Sequence, residues 1–463
     1  MPGPSPSPGQ SQAPCVTQQS NHVVVASNGR TYVLRAPSAG ERPAWDASRI
    51  FVRFRSSAYR PDVAARLNSL HAVPDGVADR AGFQVFDVPA GQDLDLTVAS
   101  LQSMHSVINA GKLALRYLQT TPNDPIYTGN NYQQWDLNQI NMPGAWSLSI
   151  GDAAVTIAVV DTGYDIASPE FPTITKVDNS AVFVTGAPGS ANAQDNDGHG
   201  SNVSGIAAAD TNNGLGVAGV GWNVHLLEAR VFGHPTPACL MPSANEVDVA
   251  SGINWAVANN AKVINLSLGS PTNNPGGPEQ LAVANAIANN VIVVAASGND
   301  GKNTIDFPAA DPGVISVGAS ALADLAPNQL AGAIEYVASY SNFGAGLAVV
   351  APGGDPNQFQ QNCQPPAAGC PDYLQWIENL YSATAPGGSG EPTFALFAGT
   401  SQATPHVSGL VALMVSKAIA DGKPALTPAL ARQLLVLHAA NIGDPHEGHG
   451  RVDAQATLAD PQL

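Results

Sequence analysis

The chain has 463 residues, more than one hydrophobic core of ordinary size accommodates, so two or more folded units are expected. Only 12% of its residues are charged and its formal net charge is −17, which excludes nucleic acid as an expected partner, because phosphates are held by Lys and Arg. The sequence contains no run of about eighteen apolar residues, so contact with a membrane is not expected either.

The chain begins with a segment rich in Pro, Ser and Gln, residues 1–47, which predicts a flexible leader. Residues 1–22 lack the basic start and the apolar stretch of a secretory signal peptide. The low charge, with 45 Gly and 37 Pro residues, nevertheless suits an exported protein that has many tight loops. We therefore expect secretion, although no signal is visible.

The residue pattern over 48–118 predicts a small α+β unit. Apolar and polar residues alternate over 50–54 and again over 83–88, as they do in half-buried strands. Stretches that permit helices lie at 63–70 and 94–101. A proline-containing loop then separates this unit from the rest of the chain.

From residue 155 onward, apolar strands alternate with amphipathic helices. We predict strands at 155–160, 226–231, 263–266, 291–296 and 314–317. We predict helices near 199–209, 246–260, 279–290 and 404–420. Strands that are apolar on both faces and separated by helices are typical of a parallel sheet covered on both sides, here an α/β domain over residues 119–463. Ligands in such folds bind at the carboxyl ends of the strands.

Three candidate catalytic residues lie at the ends of these elements. Asp161 ends a buried strand, and His199 begins a helix after a turn that contains glycine. Ser401 lies at the start of a helix whose first turn contains Pro405. Asp, His and Ser follow one another in the order of the subtilisin triad, which differs from the order in chymotrypsin and in α/β-hydrolases.

These residue types suit nucleophilic catalysis. A serine hydroxyl is a poor nucleophile until a base takes its proton, and imidazole titrates in the range where it can do so. A carboxylate that accepts the other imidazole N–H fixes the tautomer and stabilises the imidazolium. Acyl transfer also develops an oxyanion, for which the side-chain amide of Asn299 and the backbone N–H of Ser401 are candidate donors.

The motifs resemble those of the subtilase family from about residue 124 to the last residue given. Further matching segments are Asn265–Gly269, Ser339–Gly344 and Ala351–Gly353. The resemblance implies a subtilisin-like fold and a serine endopeptidase that hydrolyses polypeptides through an acyl-enzyme. It assigns Asp161, His199 and Ser401 to the triad and Asn299 to the oxyanion site.

Two other classes of protein remain open at this stage. One is a subtilase-shaped scaffold without activity, although all four catalytic positions are filled here. The other is an esterase or lipase of the α/β-hydrolase type. That class needs a Gly-x-Ser-x-Gly turn ahead of its acid and histidine, whereas Ser401 comes last and lacks the second Gly.

The resemblance also implies structural calcium, because residues 121–125 are similar to the start of mature thermitase, a calcium-binding subtilase, and residues 211–217 are similar to its strong calcium loop. Ca²⁺ binds about six to eight oxygen atoms, many of them backbone carbonyls. An ordinary Asn-Gly turn is the alternative. Glu170 stands where members of the family usually have Asp. The implied ligands are Asp124, Glu170, Thr211, Asn213, Leu215 and Val217.

Residues 48–118 are similar to the inhibitory propeptides of subtilases, which are small ferredoxin-like domains. The resemblance implies an intramolecular inhibitor that assists folding and is removed by self-cleavage near 118–121, leaving a monomeric enzyme. A sheet built from long-range contacts folds slowly, and a docked template lowers that barrier. An unrelated interaction domain is the alternative.

Two further carboxylates, Asp300 and Asp306, fall near the rim and the base of the primary specificity pocket by motif alignment. They would favour Lys or Arg just before the scissile bond. If both face solvent, the pocket takes large apolar side chains instead. The pocket walls and the backbone edges that hold an extended substrate are assigned to Ser267, Leu268, Gly269, Ala296 and Gly298.

The four cysteines show no metal-ligand spacing. In an oxidising compartment Cys363 and Cys370 are expected to close a local disulfide, with two free thiols as the alternative. Nothing in the sequence indicates whether Cys15 and Cys239 pair.

Overall fold

The computed structural model describes residues 22–25, 31–34, 45–55, 61–75, 83–89, 92–114, 121–129, 134–172, 176–184, 192–233, 243–323, 333–356, 377–385 and 393–463. The chain divides into two compact units, Met1–Leu118 and Gln119–Leu463. All four cysteines lie outside the described residues, and so does the disulfide expected between Cys363 and Cys370.

The first unit contains a four-stranded antiparallel sheet and two helices. Its elements are β1 (His22–Val25), β2 (Thr31–Leu34), β3 (Trp45–Phe54), α1 (Pro61–Ser69), β4 (Val73–Asp75), β5 (Phe83–Asp87), α2 (Leu94–Gln102) and β6 (Val107–Ala114). Strands β1 and β2 pair with each other, and the larger sheet has the order β4-β5-β3-β6. The succession β-α-β-β-α-β from β3 to β6 is ferredoxin-like.

The local sequence explains this unit. Along β3, Ile50 and Val52 are fully buried while Phe51 between them is partly exposed, which is the alternation that the sequence predicts. Helix α2 begins after Asp93, whose side chain accepts two backbone N–H groups of the first turn. The buried residues of β3 form one apolar cluster with residues of both helices.

The second unit is built on an eight-stranded sheet. Its elements are α3 (Pro125–Gly129), α4 (Trp135–Gln139), α5 (Met142–Trp146), β7 (Thr156–Asp161), β8 (Val177–Val182), α6 (His199–Ala208), β9 (His225–Arg230), α7 (Glu246–Ala258), β10 (Val263–Leu266), α8 (Pro278–Ala288), β11 (Ile292–Ala296), β12 (Ile315–Ala323), β13 (Ile334–Val337), β14 (Val349–Pro352), β15 (Ile377–Tyr381), β16 (Thr393–Phe397), α9 (Thr400–Ala420), α10 (Pro428–His438) and α11 (Ala454–Leu458). The sheet order is β13-β12-β11-β10-β7-β9-β8, and β14 also pairs with β12.

Helices cover both faces of this sheet, as predicted. The pairs are parallel except for β12 with β13, and β7 and β11 are buried along their whole length. One apolar cluster contains residues of α6, α9 and α10, and the other contains residues of α7 and α8. Strand β7 lies between β9 and β10, where the strand order reverses, so its carboxyl end opens into the crevice where ligands bind in such folds.

Every strand and helix predicted for this unit occurs. The bounds of β10 match the prediction, and at least one end of each other element differs. Helix α9 begins at Thr400 rather than at 404 and continues through Pro405. Pro405 cannot donate a hydrogen bond to the Ser401 carbonyl, which accepts the hydroxyl of Ser267 instead. This helix is long and apolar enough to cross a membrane by length and composition, but 83% of the relevant window is buried inside the protein. It is therefore the central core helix of the second unit.

Candidate active site

Asp161 and His199 are in hydrogen-bond contact at the carboxyl edge of the sheet. Asp161 is the last residue of β7, and His199 is the first residue of α6. His199 Nδ1 lies 2.7 Å from Asp161 Oδ1, which also accepts the backbone N–H of Thr162 at 2.7 Å. The Asp161 side chain is 1% exposed and that of His199 is 25% exposed, so the carboxylate is shielded from water while the imidazole reaches the surface. The carboxylate can hold the imidazole with its proton on Nδ1, which leaves Nε2 available as a base.

A buried aspartate that the sequence analysis missed, Asp195, shapes the turn before His199. Its Oδ1 accepts the backbone N–H groups of Asp197 and Gly198 at 2.9 and 2.8 Å. Its Oδ2 accepts the N–H and the hydroxyl of Ser201 at 2.9 and 2.7 Å. An Asp followed three residues later by Gly is typical of a side chain that caps a turn, so a signal was present. Asp195 is fully buried and fixes the start of α6.

Two glycines let the end of β7 approach the turn that carries the histidine. A Cβ atom on Gly200 would lie 2.1 Å from the carbonyl oxygen of Gly163. A Cβ atom on Gly163, whose φ is +103°, would lie 2.1 Å from the carbonyl oxygen of Ala193. A larger residue at either position would therefore push the carboxylate and the imidazole apart.

Carboxylates surround His199 and hold its pKa above the ordinary value. Burial lowers the pKa of this imidazole, but the charge of Asp161 and its hydrogen bond to the ring outweigh burial. Asp197 and Asp195 add to the upward shift, and together these groups raise the pKa of His199 to about 9. The site therefore stabilises the imidazolium, the form that arises when the histidine takes a proton.

Ser401 lies in the first turn of α9 and is positioned by Ser267. Because Pro405 has no N–H for it, the Ser401 carbonyl accepts the hydroxyl of Ser267 at 2.8 Å. The Ser401 hydroxyl in turn donates to the Ser267 carbonyl at 3.1 Å. Although both side chains are described, no hydrogen bond joins Ser401 Oγ to His199. Such bonds are often long or poorly aligned until substrate binds.

Asn299 follows β11 and is tied to the start of α9. Its Oδ1 accepts the backbone N–H and the hydroxyl of Thr400, both at 2.9 Å. Its Nδ2 lies 3.8 Å from the position that a Cβ atom on Gly399 would take. The N–H of Ser401 is in the first helical turn, where backbone donors have no partner within the helix. The site therefore offers an amide and a backbone N–H as donors for an oxyanion.

A cavity of about 680 Å³ adjoins His199. Its described lining residues include no lysine or arginine, and several are carboxylates. Among these, burial and the charges of two neighbouring carboxylates raise the pKa of Glu279 to about 7. A cleft of this size beside the Asp161–His199 pair can hold side chains of an extended polypeptide. Three residues of the sequence-based pocket line it: Ser267, Leu268 and Gly269.

The other residues assigned to the specificity pocket lie around the turn after β11. Asp300 is exposed, and its Oδ2 lies 3.2 Å from Lys302 Nζ, which offsets its charge. Asp306 is 7% exposed, and its Oδ2 lies 2.6 Å from the position of a Cβ atom on Gly298, whose φ is +106°. Burial raises the pKa of Asp306, and the charge of Asp300 raises it further. Asp306 thus packs against the turn, and Ala296 before it is buried.

The expected calcium ligands gather around two fully buried carboxylates, Asp124 and Glu170. Burial raises the pKa of Asp124 to about 6. Burial, followed by the charge of Asp124, raises the pKa of Glu170 to about 8. Glu170 Oε1 meets no hydrogen-bond partner among the described residues, and a Cβ atom on Gly216 would lie 2.2 Å from it. A cation at this position would relieve the repulsion between the two carboxylates.

The adjoining loop offers neutral oxygen atoms beside these carboxylates. Asp124 closes the loop by accepting the backbone N–H groups of Asn212 and Asn213 at 2.9 and 3.2 Å. The described part of the chain holds no cluster of three or more His, Cys, Asp or Glu side chains suited to a metal, so a cation here would depend on carbonyl oxygens. The donor set fits Ca²⁺, which prefers such oxygens. Among the described residues, no hydrogen bond is donated to the carbonyls of Thr211, Leu215 and Val217.

Comparison with known proteins identifies the family. Residues 152–453 match the model of the subtilase family. The chain is 34% identical over 323 residues to an alkaline protease from Alkalihalobacillus alcalophilus, which covers 70% of this chain and 69% of that protein. It is 33% identical over 323 residues to subtilisin Savinase from Lederbergia lenta, which covers 70% of this chain and 97% of that protein. It is 33% identical over 297 residues to thermitase from Thermoactinomyces vulgaris, which covers 64% of this chain and 86% of that protein.

A solved structure agrees with these relatives. The fold matches that of a protease from Pseudoalteromonas arctica with a TM-score of 0.58 and 28% identity, covering 73% of this chain and 99% of that one. The family match spans the elements that carry Asp161, His199 and Ser401. The chain therefore belongs to the subtilase family and is a subtilisin-like serine protease.

Proposed function

We propose that this protein is a secreted serine endopeptidase that hydrolyses polypeptides through Asp161, His199 and Ser401. The observation that carries the proposal is the 2.7 Å contact between Asp161 and His199, beside a cavity whose wall residue Ser267 also holds Ser401. Family membership supports the class of reaction, and the low charge of the chain supports export.

In the proposed acylation step, Ser401 attacks the carbonyl carbon of the scissile peptide bond. Its hydroxyl leaves the Ser267 carbonyl and passes its proton to Nε2 of His199 as the new C–O bond forms. Asp161 keeps the Nδ1–H bond and stabilises the imidazolium. Asn299 Nδ2 and the Ser401 N–H hold the oxyanion. His199 then protonates the leaving nitrogen, the C–N bond breaks, and the acyl group stays on Ser401.

Deacylation repeats these steps with water. His199 takes a proton from a water molecule as its oxygen attacks the ester carbonyl. The C–O bond to Ser401 then breaks, His199 returns the proton to the oxygen of Ser401, and the carboxylic acid product leaves. The backbone of residues 267–269 lies at the cavity and supplies an edge along which an extended substrate can add as a strand. Substrate binding therefore depends mainly on the main chain, and selectivity depends on the side-chain pockets.

A fluorophosphonate probe and a casein assay test this function together. The probe is expected to modify Ser401 covalently, and the purified protein is expected to hydrolyse casein. An unmodified Ser401 would identify a silent scaffold, and a modified protein that hydrolyses esters but not casein would identify an esterase. Mass spectrometry of the labelled peptide locates the probe, and labelling of heat-unfolded protein is the control.

The pKa of His199 predicts an alkaline rise in activity. The base must be neutral to accept a proton, so kcat/KM is expected to rise with pH through about 9 rather than through the ordinary histidine value of 6.5. Asp197→Asn removes one charge that raises the pKa of His199, so the acid limb should move to lower pH. The asparagine keeps an acceptor for the backbone N–H of His199. A limb that stays in place in this variant would contradict the assignment.

We propose that residues 48–118 are an inhibitory propeptide and folding aid and that the peptidase domain spans 119–463. The leader predicted at 1–47 is not flexible throughout, because it contains the paired strands β1 and β2. The ferredoxin-like order of the first unit supports this division, and the chain separates into compact units after Leu118. N-terminal sequencing of the active protein tests it. A new terminus near 119–121 is expected, whereas an active enzyme that retains residues 48–118 would contradict a removable inhibitor.

We propose that Asp306 favours Lys or Arg immediately before the scissile bond. Only its Oδ1 has a hydrogen-bond partner among the described residues, so Oδ2 can receive a cationic group. Asp306→Asn is expected to lower kcat/KM for such peptides by about tenfold or more, because a bond to a charged group is lost. Asp300→Asn is the control and should have a smaller effect, since Lys302 already offsets that charge. A wild-type preference for Phe or Leu in a peptide library would contradict this specificity.

We propose that Ca²⁺ stabilises the loop at 211–217 by binding Asp124 and Glu170 and the nearby carbonyls. At a calcium concentration 100 times its Kd, binding adds about 2.7 kcal/mol to the free energy of unfolding. A chelator is therefore expected to lower Tm by roughly 5 °C, measured on Ser401→Ala protein to prevent self-digestion. Glu170→Gln should remove this response, and Mg²⁺ should not restore Tm as Ca²⁺ does. An unchanged Tm in chelator would contradict calcium binding.

A further inference from the structure

A third buried carboxyl group lies behind the Asp161–His199 pair and has no part in the steps above. Glu228 is in the middle of β9 and is 0% exposed. Strand β9 pairs with β7 on one side and with β8 on the other, and Glu228 is in register with Val159 and Ser180. A carboxyl group inside a sheet is costly unless it is neutral or hydrogen-bonded, so this position requires a physical reason.

Glu228 and Asp161 face the same side of the sheet. Register partners on parallel strands point to one face, and that face recurs at every second residue, so Val159, Asp161 and Glu228 share it. The step from Glu228 to Asp161 is one strand across and two residues along, about 8 Å between their Cα atoms. Helix α6 covers this face, because its buried residues belong to the same apolar cluster as Val159. A glutamic acid side chain is long enough to bridge much of that distance.

Buried oxygen atoms without a hydrogen-bond partner among the described residues gather in this region. They are Asp161 Oδ2, Ser204 Oγ on α6, and both carboxyl oxygens of Glu228. Arg230, two residues further along β9, does not neutralise Glu228, since its guanidinium donates to the carbonyls of Gln194 and Phe232 at 2.9 and 3.1 Å. Buried polar atoms are paired in most native proteins, so these oxygens point to a network that small side-chain rotations complete.

The surroundings favour the neutral form of Glu228. Burial raises the pKa of Glu228 well above its usual value, the charges of Asp161 and Asp195 raise it further, and the Ser204 hydroxyl opposes the shift. Another titratable neighbour, Tyr164, is an uncharged phenol whose pKa is raised, chiefly by burial. A neutral carboxylic acid donates through its O–H and accepts through its carbonyl oxygen. It can therefore bridge a hydroxyl group and a carboxylate.

We propose that Glu228 is a positioning residue for the catalytic pair, donating its carboxylic proton to Asp161 Oδ2 and accepting a hydrogen bond from Ser204. Asp161 is then held on both oxygens, because Oδ1 already bonds His199 and Thr162. The plane of the carboxylate cannot rotate away from the imidazole in this arrangement. Glu228 touches no substrate, and the inference rests on the proposed function because it acts through Asp161.

Two substitutions separate donation from packing. Glu228→Gln keeps the size of the side chain and can donate an N–H to Asp161. Its kcat should therefore stay within about twofold of the wild type, and the acid limb of its pH profile should keep the wild-type position. Glu228→Leu keeps a similar volume and donates nothing. It should lower kcat about tenfold or more with little change in KM, because the bond to a charged group is lost. Its acid limb should move to higher pH, since an unbonded Asp161 attracts the imidazolium proton more strongly.

Infrared difference spectroscopy tests the protonation directly and does not depend on activity. The wild-type spectrum minus the Glu228→Gln spectrum at pH 7 should show the C=O stretch of a protonated carboxyl group. Absence of that band would overturn the proposal. This test does not depend on whether the Glu228→Leu protein folds. Wild-type kcat and an unshifted acid limb in a folded Glu228→Leu protein would overturn it as well. Failure of this inference leaves fluorophosphonate labelling of Ser401 intact, whereas failure of the proposed function leaves wild-type Ser401 unlabelled.

Discussion

Replacing Ser401 with alanine is expected to lower kcat for peptide hydrolysis by about six orders of magnitude, the loss that removal of the nucleophile causes in subtilisin. Without this hydroxyl no acyl-enzyme forms, and the remaining hydrolysis depends on the oxyanion donors and on substrate binding. The KM is expected to change little, because the Ser267 carbonyl and the cleft are untouched. Steady-state kinetics on a chromogenic peptide and the loss of fluorophosphonate labelling measure the effect.

Ser416→Ala is the matched control on the same helix. Ser416 donates to the Ala412 carbonyl and accepts the N–H of Asp152, and it lies several turns from the catalytic end of α9. This variant should lose some stability and keep kcat within about twofold of the wild type. Casein hydrolysis by Ser401→Ala at the wild-type rate would remove Ser401 from the mechanism.

The Ser401→Ala protein also tests self-processing. If the enzyme cuts its own propeptide, this variant stays at full length while the wild type loses residues 1–118. Added wild-type enzyme should cut the variant, which shows that the cleavage site is accessible. A purified Ser401→Ala protein that loses the segment without added protease would contradict self-processing.

Replacing Asn299 with alanine is expected to lower kcat by about 100-fold to 1,000-fold with little change in KM. The amide donates where negative charge develops, so its loss affects the transition state more than substrate binding. This magnitude is the one observed for the corresponding amide in subtilisin. Steady-state kinetics with the same chromogenic peptide measure it.

Asn299→Asp separates oxyanion donation from the anchoring of α9. Aspartate can still accept the two bonds from Thr400, but it has no donor and adds a negative charge beside the developing oxyanion. It should therefore lose at least as much kcat as Asn299→Ala while its Tm stays closer to that of the wild type. Wild-type kcat in Asn299→Asp would exclude this side chain as the oxyanion donor.

The sequence predicts those parts of the fold and the site that have local signals. Apolar strands and helices of the second unit occur where periodicity places them, because burial of both sheet faces imposes continuous apolar runs. The order of Asp161, His199 and Ser401, each at the end of an element, indicates the chemistry. The sequence does not distinguish Asp300 from Asp306 as the residue that sets specificity. The structure does, because Lys302 pairs with the exposed Asp300 whereas Asp306 is buried.

The amino-acid sequence by itself therefore determined the class of fold, the chain order of the three candidate catalytic residues and the family. Only the tertiary structure showed that Ser267 holds Ser401, and that Glu228 lies on the same face of the sheet as Asp161, one strand across and two residues along. The first contact joins residues that are far apart in the chain, and the second arrangement arises only when neighbouring strands are in register. Local periodicity does not predict the distance between such residues, because that distance is set by sheet order and helix packing.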